Sequence, residues 1–216
     1  MAVTNTGQGG TYGIVNVVFA EPVTGAFPAA SAFKRDGNGE WPDGSFGFSA
    51  IVMDSVSFND SAPSENDLYV EDADTIYATL RSDEGSKGFT LDTYDLSAQA
   101  YIALQGASEI EGSTSAGDPA DAKWVTEPAK IPDLVKAVQI MTRKFGDFPS
   151  KIFQWAKMKI TVTKAGTIGK SGFPNFHLEF KQLANFDANG VAKAGHRWRN
   201  TSAAEYAEAA SGLDTE

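Results

Sequence analysis

The sequence contains no cysteine among its 216 residues, and this absence excludes several kinds of chemistry. Without thiols the chain cannot build a disulfide scaffold, hold a metal through thiolates or use a cysteine nucleophile. The composition is compatible with folding in a reducing cytosol. At roughly 100–200 residues per domain, the length allows one large domain or two small ones, and hence a sizeable core.

Positive charge is also scarce in this chain. Its 18 Lys and Arg residues stand against 28 Asp and Glu residues, so the formal net charge is −10. Proteins that bind nucleic acids gain affinity for phosphates from clustered cations. We therefore do not expect this chain to bind nucleic acid tightly.

Long apolar runs are missing as well. No stretch approaches the roughly 18 apolar residues that a membrane span requires. The first residues, Met1–Thr6, lack the basic patch and the apolar run of a signal peptide. We expect a soluble protein without a membrane partner.

Composition divides the chain into three parts. Residues 1–11 form an N-terminal arm rich in glycine and small polar residues, and residues 185–216 form an alanine-rich, weakly patterned C-terminal extension. Residues 12–184 form a single patterned domain, interrupted by a long loop over residues 20–45 with prolines at positions 22, 28 and 42. Both ends are expected to be extended arms.

The patterned part is dominated by segments of alternating apolar and polar residues, which predict strands. The predicted strands are Tyr12–Phe19, Phe46–Phe58 with a bulge near Ala50, Leu68–Leu80, Phe89–Thr93, Trp155–Thr163 and Phe176–Lys181. The last two are expected to form an antiparallel pair across a turn over residues 164–172.

Two segments have the spacing of helices. A short helix is predicted behind Asp95 as its N-cap, ending at Gly106. A longer amphipathic helix is predicted over Pro132–Phe145, since a proline suits the first turn and basic residues precede Gly146. Its core-packing stripe consists of Leu134, Val138, Met141 and Phe145.

Motifs for nucleotides and metals fail on their spacing. The glycine-rich run Gly7–Gly13 has Tyr12 where a dinucleotide loop needs glycine, and it precedes the first strand instead of following it. The run Asp36–Glu40 opens like a calcium loop, but Trp41 occupies the position that requires glycine. We expect no cofactor and no metal.

Candidate catalytic residues are equally sparse. The two histidines, His177 and His196, have no partner at ligand spacing, and chance pairs of carboxylates are expected in a chain with 28 acids. The aromatic residues are more typical of packing than of a sugar platform, although a sugar-binding sandwich would use the same residues. The chain is not expected to be an enzyme.

The order of elements resembles a known family. The residues that carry the likeness are the strand at 56–58 with the run 67–71 after its turn, the strand at 89–94, and the short helix between Asp95 and Gly106. Across 12–183 they resemble the major tail protein, or tail tube subunit, of long-tailed bacteriophages. The loop before Ser45 and the residues after Asp187 are not covered by the resemblance.

The resemblance implies a mainly β fold with a flanking helix. This would be an antiparallel β-sandwich or partly closed barrel, packed by one amphipathic helix and carrying extended arms. Subunits would form hexameric rings, stacked into a tube that conducts DNA without binding it. The partners implied are further copies of the chain and the tape-measure, terminator and baseplate proteins, in the tail of a virion assembled in the bacterial cytoplasm.

An acidic lumen would repel phosphates and let DNA slide. The candidate lumen-facing acids are Asp54, Glu71, Asp72 and Asp74, which lie on or beside predicted strands. Two alternatives remain open. One is a capsid decoration or tail terminator subunit, and the other is a monomeric carbohydrate-binding or adhesin sandwich with exposed aromatic residues on one face.

Overall fold

The computed structural model describes residues 12–48, 50–70, 73–81, 85–111, 123–169 and 172–210. The fold is mainly β, with two α-helices. Its strands are β1 (Tyr12–Ala20), β2 (Phe46–Phe48), β3 (Ser57–Phe58), β4 (Glu65–Val70), β5 (Ala73–Arg81), β6 (Gly88–Thr93), β7 (Ser108–Glu111), β8 (Lys123–Thr126), β9 (Leu134–Arg143), β10 (Lys151–Ala165), β11 (Asn175–Gln182), β12 (Asn185–Phe186), β13 (Ala192–Lys193) and β14 (His196–Asn200). The helices are α1 (Ala98–Gln105) and α2 (Ala203–Ala210), with a 3-10 turn at Ala30–Phe33.

One antiparallel sheet forms the body of the protein, with strands in the order β2-β1-β9-β10-β11-β6-β3. Strand β10 has 15 residues and serves two neighbours along one edge. Its first part, Lys151–Trp155, pairs with β14, whereas Met158–Ala165 pairs with β11. The hairpins β4–β5, β7–β8 and β12–β13 form separate two-stranded sheets.

The sheet curls around its core. The rings of Phe19 in β1 and Phe180 in β11 lie 5.7 Å apart, although β9 and β10 separate the two strands. Three strand spacings in a flat sheet would amount to about 14 Å. The ring of Phe89 in β6 stacks on Phe180 at 4.2 Å and contacts Trp155 at 4.7 Å. The inner face of the sheet therefore folds onto itself as one aromatic-rich core.

The predicted pair of late strands is confirmed. Strand β11 alternates buried Phe176, Leu178 and Phe180 with the more exposed side chains between them, as its sequence pattern predicts. It pairs with β10 in an antiparallel register that places Phe180 opposite Ile160. The strands predicted near Tyr12 and Phe89 also form, as β1 and β6.

The short helix is confirmed, with a different cap. Ser97, not Asp95, is the N-cap, since its Oγ accepts a hydrogen bond from the Ala100 N–H at 3.2 Å. Gly106 ends the helix with φ +65°, a left-handed conformation that glycine adopts without steric cost. Ala100 and Leu104 are fully buried, so α1 covers part of the inner face of the curled sheet.

The amphipathic helix predicted over Pro132–Phe145 is wrong, because most of this segment forms strand β9. Of the predicted stripe, Val138 packs on the inner face, Met141 packs on the outer face, Leu134 is half-buried and Phe145 is exposed beyond the strand. A strand between two others, covered on both faces, carries apolar residues at every position, so its sequence can match a helical spacing by chance. Pairing with β1 and β10 outweighs the local preference.

Two other predicted strands are interrupted. The segment Phe46–Phe58 contains only β2 and β3, and the loop between them has Ala50 and Asp54 at φ +50° and +58°. The expected single strand Leu68–Leu80 is instead the hairpin β4–β5. The apolar and polar residues alternate on both sides of the reversal, so periodicity alone did not reveal it.

The C-terminal part is not an extended arm over residues 185–210. Strand β14 pairs with β10, and Tyr206 and Ala209 of α2 pack against Val15, Met141 and Ile152 on the outer face of the sheet. The long loop over residues 20–45 also packs on that face, where Phe33 joins Val18, Ala20 and Ala137. The N-terminal arm lies outside the described residues.

Candidate functional site

A metal or catalytic centre does not form among the described residues. No three His, Asp or Glu side chains in this part of the chain lie close enough together to hold an ion. His177 Nδ1 lies 2.6 Å from Asp92 Oδ1, but the two residues are cross-strand neighbours on an exposed face. The nearby Ser55 hydroxyl donates to the Asp92 carbonyl at 3.3 Å and is engaged with backbone, not with the imidazole. The pair therefore links β6 and β11.

The second histidine belongs to an aromatic cluster. His196 stacks on Trp155 at 4.7 Å and on Phe153 at 6.2 Å. Burial lowers the pKa of His196, and the positive charge of Lys87 lowers it further, while Asp60 acts in the opposite direction. A neutral imidazole suits this stacked environment.

Beside this cluster the inner face of the sheet opens to solvent. We call Phe58, Phe153, Trp155, His196 and Trp198 the aromatic face. Its rings follow one another at 6.3–6.5 Å from Phe58 through Trp155 and Phe153 to Trp198. Phe58 is 61% exposed and Trp198 is 59% exposed, and Lys151 Nζ lies 5.0 Å from the centre of the Trp198 ring. Apolar surface of this kind is a candidate binding surface.

An apolar cleft adjoins the aromatic face. Its volume is about 630 Å³, and the loop between β2 and β3 forms one wall with Ile51, Met53 and Val56. Met53 is 86% exposed at the rim of this cleft. Thr142 and Arg143 are among the few polar residues of the lining. The cleft therefore has the character of a packing surface more than that of a catalytic pocket.

The hairpin β4–β5 stands apart from the main sheet. Among the described residues its two strands pair only with each other, from Glu65 opposite Arg81 to Val70 opposite Ala73. Its root is closed by a bridge between Ser61 and Ser86, whose hydroxyl oxygens lie 2.8 Å apart. At about 3.3 Å per residue, the nine residues of β5 correspond to a length of about 30 Å.

This hairpin is strongly acidic. Between Glu65 and Glu84 the sequence has seven Asp and Glu residues and one arginine, a local net charge of −6. Glu65 and Asp67 are exposed, and Asp67 Oδ1 accepts a hydrogen bond from Thr79 Oγ1 at 2.7 Å. The segment therefore has a larger density of negative charge in its sequence than the average of the chain.

The predicted lumen-facing acids are only partly described by the structure. Asp74 lies in β5, on the hairpin, whereas Asp54 is exposed in the loop between β2 and β3. Glu71 and Asp72 lie outside the described residues. Asp54 and Asp74 thus belong to separate elements, and the hairpin carries two further acids, Glu65 and Asp67, which are exposed.

Strand β14 is an open edge of the body. It pairs with β10 on one side, and no other described strand pairs with it. Arg197 and Arg199 lie on the outer face, where the Arg197 Nε donates to Gln154 Oε1 at 2.8 Å. Trp198 lies on the inner face, next to Phe153. The edge is therefore amphipathic, with cations on one face and an indole on the other.

Helix α2 follows this edge strand and is held by a capping box. The Ser202 N–H donates to Glu205 Oε2 at 3.0 Å, and the Glu205 N–H donates back to Ser202 Oγ at 3.3 Å. Glu205 also binds the Arg199 guanidinium through both carboxylate oxygens. The arginine and the capping contacts lower the pKa of Glu205 from 4.5 to about 2. The spacing Ser-x-x-Glu was a usable sequence signal for this helix.

Comparison with known proteins gives no relative from which a role could be transferred: no family model matches the sequence, and no curated protein matches it either. No helix in the described part of the chain combines the length and apolar character needed to cross a membrane. Functional inference therefore depends on the surfaces described above.

Proposed function

We propose that this chain is a self-assembling structural protein, the tail tube subunit of a long-tailed bacteriophage. The observation that carries the proposal is the hairpin β4–β5, which forms a sheet separate from the body and pairs with no third strand among the described residues. A two-stranded hairpin is marginally stable in water unless further strands or a helix pack on it. Another copy of the chain is the simplest source of that packing.

The pattern of the hairpin suits this role. Cross-strand partners share a face, so the register groups Asn66 and Leu68 with Leu80 and Ala78, and groups Glu65 and Asp67 with Arg81 and Thr79. Near the root of the hairpin one face is thus largely apolar in sequence and the other polar, whereas Tyr69 and Ile76 pair beyond a register shift. An apolar face supports association with a neighbouring sheet, and the acids farther along the hairpin suit a lumen through which DNA passes without sticking.

A closed ring is the expected result when each copy repeats the same contact with the next copy. A hairpin that docks on a different surface of the next copy makes a head-to-tail contact, and head-to-tail contacts close into rings when the rotation permits. Continuing strands from copy to copy also removes exposed sheet edges. Six subunits per ring and the stacking of rings are taken from the resemblance to tail tube proteins.

Within this proposal the curled sheet is one subunit's β-sandwich or partly closed barrel, with α1 and α2 on its inner and outer faces. The proposed lumen-facing acids are Asp54, Glu71, Asp72 and Asp74. The tape-measure, terminator and baseplate proteins would be partners of the finished tube, in the tail of a virion assembled in the bacterial cytoplasm. A capsid decoration or terminator subunit would share the surfaces but form a single ring or trimer. No catalysis is proposed.

A second candidate function has one observation in its favour. The aromatic face exposes Phe58 and Trp198, and exposed rings in a row can stack on sugars. A carbohydrate-binding or adhesin domain would use this face as a monomer. Titration of tryptophan fluorescence with oligosaccharides would give a saturable change for that function and none for a tube subunit.

Negative-stain electron microscopy over a concentration series tests the assembly proposal. Rings or tubes with a central hole are the expected result, and sedimentation velocity should show the matching large species. A monomer at every concentration and salt would contradict it, provided that short preformed tubes added as seeds also fail to grow.

A further inference from the structure

We infer that β4 of one copy pairs with the open edge of β14 in the next copy, in an antiparallel register that places Asn66 opposite Trp198. The inference rests on the proposed assembly and adds to it the surface that receives the hairpin. In this register Glu65 lies opposite Arg199 and Asp67 lies opposite Arg197. The occupant of the β14 edge is therefore a second copy of this chain.

Strand β14 has backbone N–H and C=O groups that are oriented to hydrogen-bond to a further strand. The Ala156 N–H donates to the Gly195 carbonyl at 2.9 Å, and the Thr201 N–H donates to the Ser150 carbonyl at 2.8 Å. In an antiparallel pair, the backbone N–H and C=O groups of one residue bond to the partner strand, and those of the next residue point away from it. The backbone groups of His196 and Trp198 therefore point away from β10, and no strand of the described residues meets them.

The hairpin supplies a matching edge. Strand β4 pairs with β5 along one side, and its other side pairs with no described strand. Main-chain hydrogen bonds between two such edges provide the affinity in β-augmentation, while the alternate side chains provide the specificity. Both edges belong to the same chain, so every copy can give a strand and receive one.

Charge selects this pairing. Lys193 and Arg199 are already paired with Asp187 and Glu205, so Arg197 is the cation of this edge that makes no ion pair among the described residues, whereas residues 65–84 have a net charge of −6. The acids of β4 and the arginines of β14 are both spaced two residues apart, so each pair lies on one face of its strand. All four of these side chains are exposed in the monomer.

The other face matches as well. Trp198 lies between the two arginines in sequence and is 59% exposed on the opposite face. The proposed register sets Asn66 opposite Trp198 and Leu68 opposite His196 along the backbone. A shift by one residue would put both acids of β4 on the side of the indole, so the register is specified by both faces together.

Disulfide mapping tests the register directly, because the native chain has no cysteine. Two single variants of the full chain, Asn66→Cys and Trp198→Cys, are mixed and oxidised under conditions in which the wild type assembles. We expect a disulfide-linked dimer from the mixture. A pair with Thr161→Cys in place of Trp198→Cys serves as the control, since Thr161 is exposed on a different part of the sheet. No dimer from the first mixture, or equal yields from both mixtures, would overturn the inference.

Charge reversal tests the selectivity. The variant E65K/D67K should associate on the order of tenfold more weakly than wild type, and the further change R197E in the same chain should restore part of the loss; Arg199 is kept because it binds Glu205. The variant E40K/D43K changes the net charge equally at exposed positions of the long loop and should associate like wild type. Equal association of E65K/D67K and E40K/D43K would overturn the inference.

The outcomes separate the inference from the proposed function. Rings that form without the 66–198 disulfide would refute the inference and leave the tube proposal intact. The disulfide in dimers that never become rings would support the pairing and refute the tube. A 66–198 disulfide within one chain of the double variant, formed even in dilute solution, would show that each hairpin folds onto its own β14 and would overturn the inference.

Discussion

The body of the sheet and the β4–β5 hairpin are built from the same kind of backbone and differ in what covers them. In the body, β1 and β9 are buried on both faces, with Val17 and Val138 on the inner side and Val18 and Ala137 on the outer side. The two strands of the hairpin pair only with each other among the strands that the structure describes, and the segment is acidic. Stability is therefore concentrated in one region and the capacity for association in the other, so mutations should separate the two properties.

The largest effect on stability is expected in the aromatic core. Phe180→Ala removes a ring that stacks on Phe89 and contacts Phe19, and it should lower the free energy of unfolding by about 3–5 kcal/mol. Urea denaturation followed by tryptophan fluorescence measures the change. The control Phe173→Ala removes a ring that is 80% exposed and should cost less than about 0.5 kcal/mol. Similar losses for both variants would contradict the division of roles.

Removing the hairpin should have the opposite effect, a loss of association with little change in stability. Replacement of residues 63–84 by Asn-Gly keeps Ser61 and Ser86, whose bridge closes the root of the hairpin. Association should be abolished, while the urea midpoint stays close to that of the wild type because the core is untouched. Sedimentation velocity and urea titration on the same sample give both values. A large loss of stability would mean that the hairpin belongs to the folding unit.

A smaller effect is expected where α2 meets the body. Glu205→Gln removes the charge that caps the helix and binds Arg199, and it should cost about 1 kcal/mol at pH 7. The folded pKa of Glu205 is depressed from 4.5 to about 2, so its stabilisation is present above pH 4.5 and disappears as the pH falls through about 2.

Urea titrations at several pH values check this dependence. Wild type and Glu205→Gln should differ at pH 7 and converge between pH 4.5 and pH 2. The variant Glu179→Gln, at an exposed position of β11, is the matched control and should follow the wild type throughout. A difference between wild type and Glu205→Gln that does not change with pH would contradict the assignment.

The smallest effect is expected on the exposed face of β10. Lys159 Nζ lies 3.3 Å from Asp133 Oδ1, and both side chains are largely in solvent. Lys159→Gln should change the free energy of unfolding by less than about 0.5 kcal/mol, since exposed ion pairs contribute little. It should also leave association unchanged, because neither residue belongs to the hairpin or to β14. A clear loss of association would enlarge the assembly surface beyond those two elements.

Sequence-based prediction succeeded for elements whose formation is determined by interactions within a short segment, and it failed for elements that depend on distant parts of the chain. Helix α1 was predictable because Ser97, Gly106 and the buried Ala100 and Leu104 all lie within one short segment. Strand β11 was predictable because one of its faces is solvated and the pattern alternates cleanly. Strand β9 was not, because β1 and β10 cover it from distant parts of the chain and erase the alternation.

The properties of the candidate site also divide into local ones, which the sequence predicts, and tertiary ones, which it does not. Its acidic character was visible in the sequence, and Asp74 does lie on the hairpin. That the hairpin leaves the main sheet is a tertiary property with no local signal. Strand β14 was missed because a five-residue edge strand with polar residues on one face resembles a loop. The helix after it could have been predicted from the capping box of Ser202 and Glu205.

The shared edge of β10 has a consequence for the order in which the protein folds. Strands β10 and β11 are neighbours in sequence, so their pairing requires the closure of a short loop. The pairing of Val17 in β1 with Ile140 in β9 closes a loop of more than one hundred residues, a slow step for a polypeptide. Strands β9 and β10 are equally close in sequence, so we expect the consecutive antiparallel strands β9, β10 and β11 to act as an early nucleus. Strand β14 can reach its place on β10 only later, so the strand that receives a neighbour is completed late in folding.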